Sequence, residues 1–311
     1  MSDLKSQIPD FQTIMLPMLK LLEDGQPKKL NEVMDLLTSH FNLTDEHLKI
    51  KVPSGQMGLF RNRVGWTRSY LKNAGLIHYP GRGIYQITDY GKKFLNSNPT
   101  ELRLKHLKKM PEYKEWIATF NQGQSETVDV VETKNGVSQT PEEILASTVE
   151  QLRKQLATEL LDKLKENSFS YFENFVIALL QEMGYGAFRE ESAVVTGQTG
   201  DNGVDGIIYQ DRLGLESVYI QAKRFTNGTV GSPDIRNFIG SLALQGVNKG
   251  VFLTTSRFSE SAIKTAQDSK QQKIVLIDGK ELANLAIEYN LGVQIDKKIS
   301  IKKIDLDYFE E

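Results

Sequence analysis

Asp205, Gln221 and Lys223 are the residues of this chain whose types and spacing could do chemistry. They lie in two short segments, Gly203-Val204-Asp205-Gly206-Ile207-Ile208 and Tyr219-Ile220-Gln221-Ala222-Lys223. Between them, Asp211-Arg212-Leu213-Gly214-Leu215-Glu216 carries turn chemistry, so the pattern predicts a hairpin. Side chains alternate along a strand, which puts Gln221 and Lys223 on one face and Ile220 and Ala222 on the other. Closing the hairpin about its turn sets Asp205 opposite Gln221 or Ala222. A carboxylate, an amide oxygen and an ammonium then converge beside an apolar sheet. Such a set is costly to bury and is retained for chemistry or for structure.

The rest of the composition narrows that chemistry. The chain has no cysteine, which removes disulfides, thiolate metal sites and cysteine nucleophiles. Its four histidines, His40, His47, His78 and His106, all lie in the first 106 residues. The second half therefore holds neither a Ser-His-Asp triad nor a histidine metal site of its own, and hydrolysis there must rest on carboxylates, lysine and a hard cation held by oxygen. An EF-hand reading of Asp201 to Arg212 fails because Gly203 and Arg212 stand at ligand positions. Thr254-Thr255-Ser256 reads equally as a phosphate-binding turn or as an N-cap cluster. No apolar run approaches membrane-spanning length and Met1-Ser2-Asp3-Leu4 opens no signal peptide, so a soluble intracellular protein without a membrane partner is expected.

The elements that must position these residues fall into blocks. Residues 1–98 read as three helices and a hairpin: Ile8–Leu22, Leu30–Phe41, about Gly58–Ala74, then two short strands flanking Pro80-Gly81-Arg82-Gly83. That is the order of a winged helix-turn-helix. Between Lys51 and Leu95, eight basic residues face one acid, giving +7 locally in a chain of net charge −2 and leaving −9 elsewhere. Arg61, Arg63, Arg68 and Lys72 on the third helix and Arg82 on the wing are the expected DNA contacts. Residues 99–140 are poorly periodic and read as a linker. A helix over 141–167, opened by Thr140-Pro141-Glu142-Glu143, carries an apolar stripe suited to packing or self-association. From 168 to 300, helices and strands alternate, predicting an α/β domain with a mixed central sheet, followed by a tail over 301–311.

A helix, a meander bearing Asp, and Gln-x-Lys on the next strand resemble the restriction-endonuclease-like PD-(D/E)xK nucleases. More closely, Gly200-Asp201-Asn202-Gly203-Val204-Asp205-Gly206 and Gln221-Ala222-Lys223-Arg224, together with the winged-helix block, the long helix and Asp305-Leu306-Asp307-Tyr308-Phe309, resemble the Mrr family of type IV restriction enzymes. The resemblance implies a multidomain protein, a winged helix joined to a nuclease domain, that hydrolyses phosphodiesters of methylated double-stranded DNA. It implies metal ligation by Asp205, Gln221 and the Ala222 carbonyl, with Mg²⁺, or Mn²⁺ in its place, as the ion. Lys223 would serve the attacking water and the phosphate, and Glu173 would complete the site from the first helix of the domain. Gln221 stands where most relatives of the wider PD-(D/E)xK superfamily have Glu or Asp, which lowers the negative charge available to a cation. A homo-oligomer and a cytoplasmic bacterial location, nucleoid-associated when bound to DNA, are also implied. Two other readings stay open: a DNA-binding regulator that has lost cleavage, and a junction or repair nuclease indifferent to methylation.

Overall fold

The computed structural model describes residues 2–52, 57–81, 83–120, 138–186, 193–195 and 204–302, and the chain divides into units at 1–151 and 152–311. In the first unit the order is α1 (Ser2–Gln7), α2 (Phe11–Leu21), β1 (Lys28–Lys29), α3 (Leu30–His40), α4 (Asp45–Lys49), α5 (Leu59–Asn73), β2 (Ile77–Gly81), β3 (Ile84–Ile87), α6 (Asp89–Asn96), α7 (Leu104–Leu107) and α8 (Pro111–Phe120). The first turns of α9 (Pro141–Glu166) belong to this unit. The Asp10 carboxylate starts α2 by accepting the N–H groups of Gln12 and Thr13, 2.9 and 3.0 Å away, which meets donors that the helix leaves open. Pro17 lies inside α2 without ending it. The expected hairpin β2–β3 gains a third antiparallel strand, because Lys28 and Lys29 pair with Tyr85 and Ile84.

Two expectations are corrected here. The stretch from 99 to 120 is not an unstructured connection: it holds α7 and α8, and Leu102, Leu104, Leu107, Met110 and Tyr113 are buried in the core of the unit. Their spacing follows two short helices with a break at Pro111, too short for a helical period to show. Only 121–137 of the expected linker lie outside the described residues.

Arg63 is not on the surface. At about 100° per residue, positions 61, 68 and 72 fall within about 40° of one another on α5, while 63 points to the far side. There its guanidinium forms a two-pronged pair with Glu143 at 2.7 and 3.2 Å and donates to the Ile8 and Pro9 carbonyls at 2.7 and 3.2 Å. Both partners are almost fully buried. Glu143 is the third residue of a capping box: its carboxylate accepts the Thr140 N–H, and the Thr140 hydroxyl accepts the Glu143 N–H. The start of α9 is thereby sewn to α5 and to the turn ahead of α2.

The second unit contains the remainder of α9, then α10 (Phe169–Glu182), β4 (Ala193–Val195), β5 (Gly206–Tyr209), β6 (Ser217–Lys223), β7 (Thr229–Val230), α11 (Ser232–Leu244), β8 (Lys249–Thr254), β9 (Arg257–Phe258), α12 (Glu260–Asp268), β10 (Lys273–Ile277) and α13 (Gly279–Glu288). The sheet order is β10-β8-β6-β5-β4, antiparallel across β4-β5-β6 and parallel across β6-β8-β10. It is the mixed sheet the alternation predicts. Helices cover both faces. Leu160 and Leu164 of α9, with α10 and α13, pack on Ile208, Val218, Ile220, Val251, Leu253 and Ile277. On the other face α11 and α12 bury Ile235, Phe238, Leu242 and Ala262 with Phe252. Gly250 permits the close seat of α11: a Cβ there would meet the Phe238 ring at 2.7 Å and Leu242 at 2.8 Å. The stripe on α9 is thus divided, since Leu160 and Leu164 are buried while Leu152 and Leu156 are 61 and 38% exposed.

The buried Arg63–Glu143 pair yields a stability prediction. Arg63→Met leaves the Glu143 carboxylate uncompensated and lowers unfolding free energy by roughly 3–5 kcal/mol, whereas Arg63→Met with Glu143→Leu recovers most of that loss. Urea denaturation of the single and double variants measures it, and equal losses in both would contradict the assignment.

Candidate active site

The turn between β5 and β6 sets the site. Asp211 directs its carboxylate back onto the Leu213 and Leu215 N–H groups at 2.8 and 3.2 Å, which fixes the length and path of the loop. The register that follows pairs Gly206 with Ile220 and Tyr209 with Ser217. Asp205, one residue ahead of β5, donates its backbone N–H to the Ile220 carbonyl at 2.8 Å and so stands opposite Gln221. Alternation does the rest: Ile220 and Ala222 are buried, whereas Tyr219, Gln221 and Lys223 turn to the α11 face.

The Asp205 carboxylate is held through one oxygen. Its Oδ2 accepts the Ala222 N–H at 2.7 Å and the Gln221 side-chain N–H at 2.6 Å. Burial raises the Asp205 pKa above the ordinary carboxylate value, although both hydrogen bonds and the Lys223 charge pull it down. Glu173, on the first turns of α10 and half-buried, is also raised, first by burial and then by the like charge of Asp205. The two carboxylates therefore share one electrostatic neighbourhood. Gln221 presents its amide nitrogen, not its oxygen, to Asp205, so acting as an oxygen ligand requires the amide to turn over. The Ala222 N–H points to the Asp205 side, and its carbonyl shares that direction by the geometry of a strand.

Lys223 finds a partner that local sequence patterns do not reveal. Its ammonium donates to Asp234, in the first turn of α11, and lies 5.9 Å from the centre of the Phe225 ring. Burial raises the Asp234 pKa, but the hydrogen bond and charge of Lys223 with the Gly231 N–H more than offset this, and the carboxyl is held below its usual range. Arg224 takes the opposite direction, donating to the Lys165 carbonyl at the end of α9 and stacking 4.3 Å from the Phe169 ring that opens α10. Strand β6 is thus tied to both helices flanking its end. In Thr254-Thr255-Ser256 the Thr255 hydroxyl bridges the Phe225 N–H and carbonyl, and the cap of α12 is Ser259.

Among the described residues, no group of three or more His, Cys, Asp or Glu side chains is placed to hold a metal ion. Asp205 and Glu173 supply two carboxylates, and a hard cation would need further oxygens from Gln221, the Ala222 carbonyl, water or phosphate. That all-oxygen set, with one Asp205 oxygen left out of the two hydrogen bonds just described, fits Mg²⁺ or Mn²⁺ and no soft metal.

In the first unit the expected DNA contacts separate. Arg61 and Lys72 are exposed. Arg68 is half-buried, with its guanidinium 5.6 Å from the Tyr85 ring centre and a hydrogen bond to the Tyr85 hydroxyl. Lys72 lies over the Tyr79 ring at 4.8 Å, and burial pushes the Tyr79 phenol up to about 12. Tyr79 and Tyr85 meet edge to face at 5.0 Å, so an aromatic pair anchors the basic face of α5 to the hairpin. Arg82 lies outside the described residues, as do Gly200 to Gly203 and the tail from 303.

Because burial raises the Asp205 pKa, its ionised form weighs against the fold when no cation is bound. The sign follows: the penalty is full above the folded pKa and vanishes as pH falls below the unfolded value, where both states hold the proton. In metal-free buffer Asp205→Asn therefore melts at or above wild type at neutral pH, and the two curves converge on acidification. Gln221→Glu instead melts lower at neutral pH, since it replaces a donor by a second negative charge. Scanning calorimetry across pH measures both.

A family model described as the Mrr N-terminal domain matches residues 11–97, and one described as a restriction endonuclease matches residues 164–286. The type IV methyl-directed restriction enzyme EcoKMrr of Escherichia coli (strain K12) is 34% identical over 313 residues, covering 97% of this chain and 99% of the relative. Among solved structures, the DNA modification-dependent restriction endonuclease AspBHI is 17% identical with a TM-score of 0.35, over 68% of this chain and 52% of that one. The MspJI restriction endonuclease in complex with a 27-mer oligonucleotide is 21% identical with a TM-score of 0.29, over 65% of this chain and 47% of that one. The chain spans about half the length of those two. With both family models in chain order and a relative matched almost end to end, this chain belongs to the Mrr family of restriction endonucleases.

Proposed function

We propose that this protein is a metal-dependent DNA endonuclease directed to methylated duplex DNA. The observation that carries the reading is the meeting of Asp205, Gln221, Ala222 and Lys223 at the end of β6, with Glu173 in electrostatic range. Methyl direction rests on the relative that bears that name. Asp205, Glu173, the Gln221 amide oxygen and the Ala222 carbonyl would hold Mg²⁺ or Mn²⁺. When bound, such an ion supplies Lewis acidity toward the phosphate.

The chain's own groups do the remaining work. Lys223 presents an ammonium that can hydrogen-bond a non-bridging phosphate oxygen and offset charge that grows during attack. Gln221 and the Ala222 N–H hold Asp205 in one rotamer, so its carboxylate is oriented before substrate arrives. Glu173, in electrostatic range of Asp205, would complete the carboxylate set from the first helix of the domain.

The first unit is read as a winged helix: α2, α3 and α5 followed by the β2–β3 hairpin, with α5 entering a groove. Arg61, Arg68 and Lys72 on one face of α5, with Arg82 of the wing expected from sequence, are the proposed backbone contacts; Arg63 is excluded by its burial. Cutting both strands needs two sites, so a homo-oligomer is part of the proposal, with exposed Leu152 and Leu156 available to it.

Two experiments test this reading. Plasmid cleavage with Mg²⁺ on methylated and unmethylated DNA should show cutting of the methylated form only, and Lys223→Ala or chelation should abolish cutting while leaving DNA binding intact. Equal cutting of both plasmids would point to a repair nuclease; binding without cutting would point to a regulator. Separately, Lys72→Ala should weaken binding to all sequences alike and reduce the salt slope of log K by about 1, as loss of one phosphate contact requires. An unchanged slope would remove Lys72 from the interface.

A further inference from the structure

Lys223 stands at the end of β6, on a flexible four-carbon stem, and is 39% exposed. An ammonium so placed would sample several rotamers, and a reacting group left to wander loses the gain that orientation brings. One carboxylate restrains it. Asp234 accepts its hydrogen bond, and Asp234 is itself fixed: its other oxygen accepts the Gly231 N–H at 3.1 Å. The next residue, Ile235, is wholly buried against Val230 and Phe252, and Ser232 is bonded to Thr265 of α12 at 2.8 Å. Asp234 therefore rides on a firmly seated turn of α11, on the same sheet face as Gln221 and Lys223. A helix-capping role alone would not explain why the Lys223 ammonium is the second partner.

We propose that Asp234 is a positioning residue that sets the place of the Lys223 ammonium at the cleavage centre, acting through Lys223 and touching neither phosphate nor metal. This rests on the nuclease reading given above.

The test uses the full chain with Asp234→Asn, Asp234→Glu and Asp234→Ser. In metal-free buffer without DNA, the rate at which Lys223 reacts with an amine-directed ester is followed by peptide mass spectrometry against exposed Lys264. Removing the carboxylate should speed modification of Lys223 several-fold relative to Lys264, and Asp234→Glu should stay near wild type. Asp234→Ser keeps an acceptor for the Gly231 N–H without the charge, so it gives the answer should Asp234→Asn misfold. In single-turnover cleavage of methylated plasmid, Asp234→Asn should slow the cut about tenfold with DNA affinity unchanged, the mark of lost orientation rather than lost binding. Unchanged Lys223 reactivity, or cleavage as fast as wild type, would overturn the proposal. So would weaker Mn²⁺ binding by calorimetry in Asp234→Asn, which would make Asp234 a metal ligand. A wild type that cuts nothing would sink the nuclease reading instead, while the labelling result would still decide whether the tether exists.

Discussion

A two-stranded register decides which side chains meet, and a slip of one residue sends every one of them to the other face. In this protein that constraint is carried by a small exposed loop. Asp211 folds its carboxylate over the N–H groups of Leu213 and Leu215, so the strands after it leave with Gly206 facing Ile220. Only in this register does Asp205 reach both the Ala222 N–H and the Gln221 amide. The chemistry at one end of the hairpin is thus governed by turn geometry at the other. The parallel pairing of β6 with β8 then locks the strand into the sheet, with Lys223 beside Thr254.

The same strand separates two tasks by alternation. Ile220 and Ala222 enter the core beneath α10 and α13, supplying the apolar contact that makes the strand rigid. Gln221 and Lys223 face the other helical layer, where α11 can meet them. Arg224, the first residue past the strand, turns back to the α9–α10 corner. Its guanidinium links the strand bearing Lys223 to the helix bearing Glu173. Its Nε, buried without a hydrogen-bond partner, shows that this link is kept in spite of an unsatisfied donor.

What sequence reading reached and what it missed divide along local and non-local physics. The hairpin, its turn and the facing of Gln221 and Lys223 were legible because period two and turn residues are local signals. Most helices and strands of the second unit were legible for the same reason. Asp234 was not, since Ser232-Pro233-Asp234 reads as an ordinary helix start, where an acid is expected in any case. Its pairing with Lys223 exists only after α11 folds back across the sheet. Arg63 shows a different failure. A count of charges grouped it with Arg61, Arg68 and Lys72, although its helical angle already set it apart, and its acid partner lies 80 residues onward. Strand β1 is two lysines long and has no period to read.

The glutamine at 221 can be understood from charge alone. With a carboxylate in its place, Asp205, Glu173 and residue 221 would crowd three negative groups around one half-buried point. Such a site is stable chiefly when a cation fills it. Gln221 instead donates to Asp205 and removes one charge, so the hairpin closes on its own hydrogen bonds. The cost falls on cation affinity, because an amide must turn over and give up its bond to Asp205 before its oxygen can serve as a ligand. Lys223 is balanced separately by Asp234, outside the pair formed by Asp205 and Gln221. Asp205 is therefore oriented without an ion, and in the proposed site ligation by Gln221 would require one rotation of its amide.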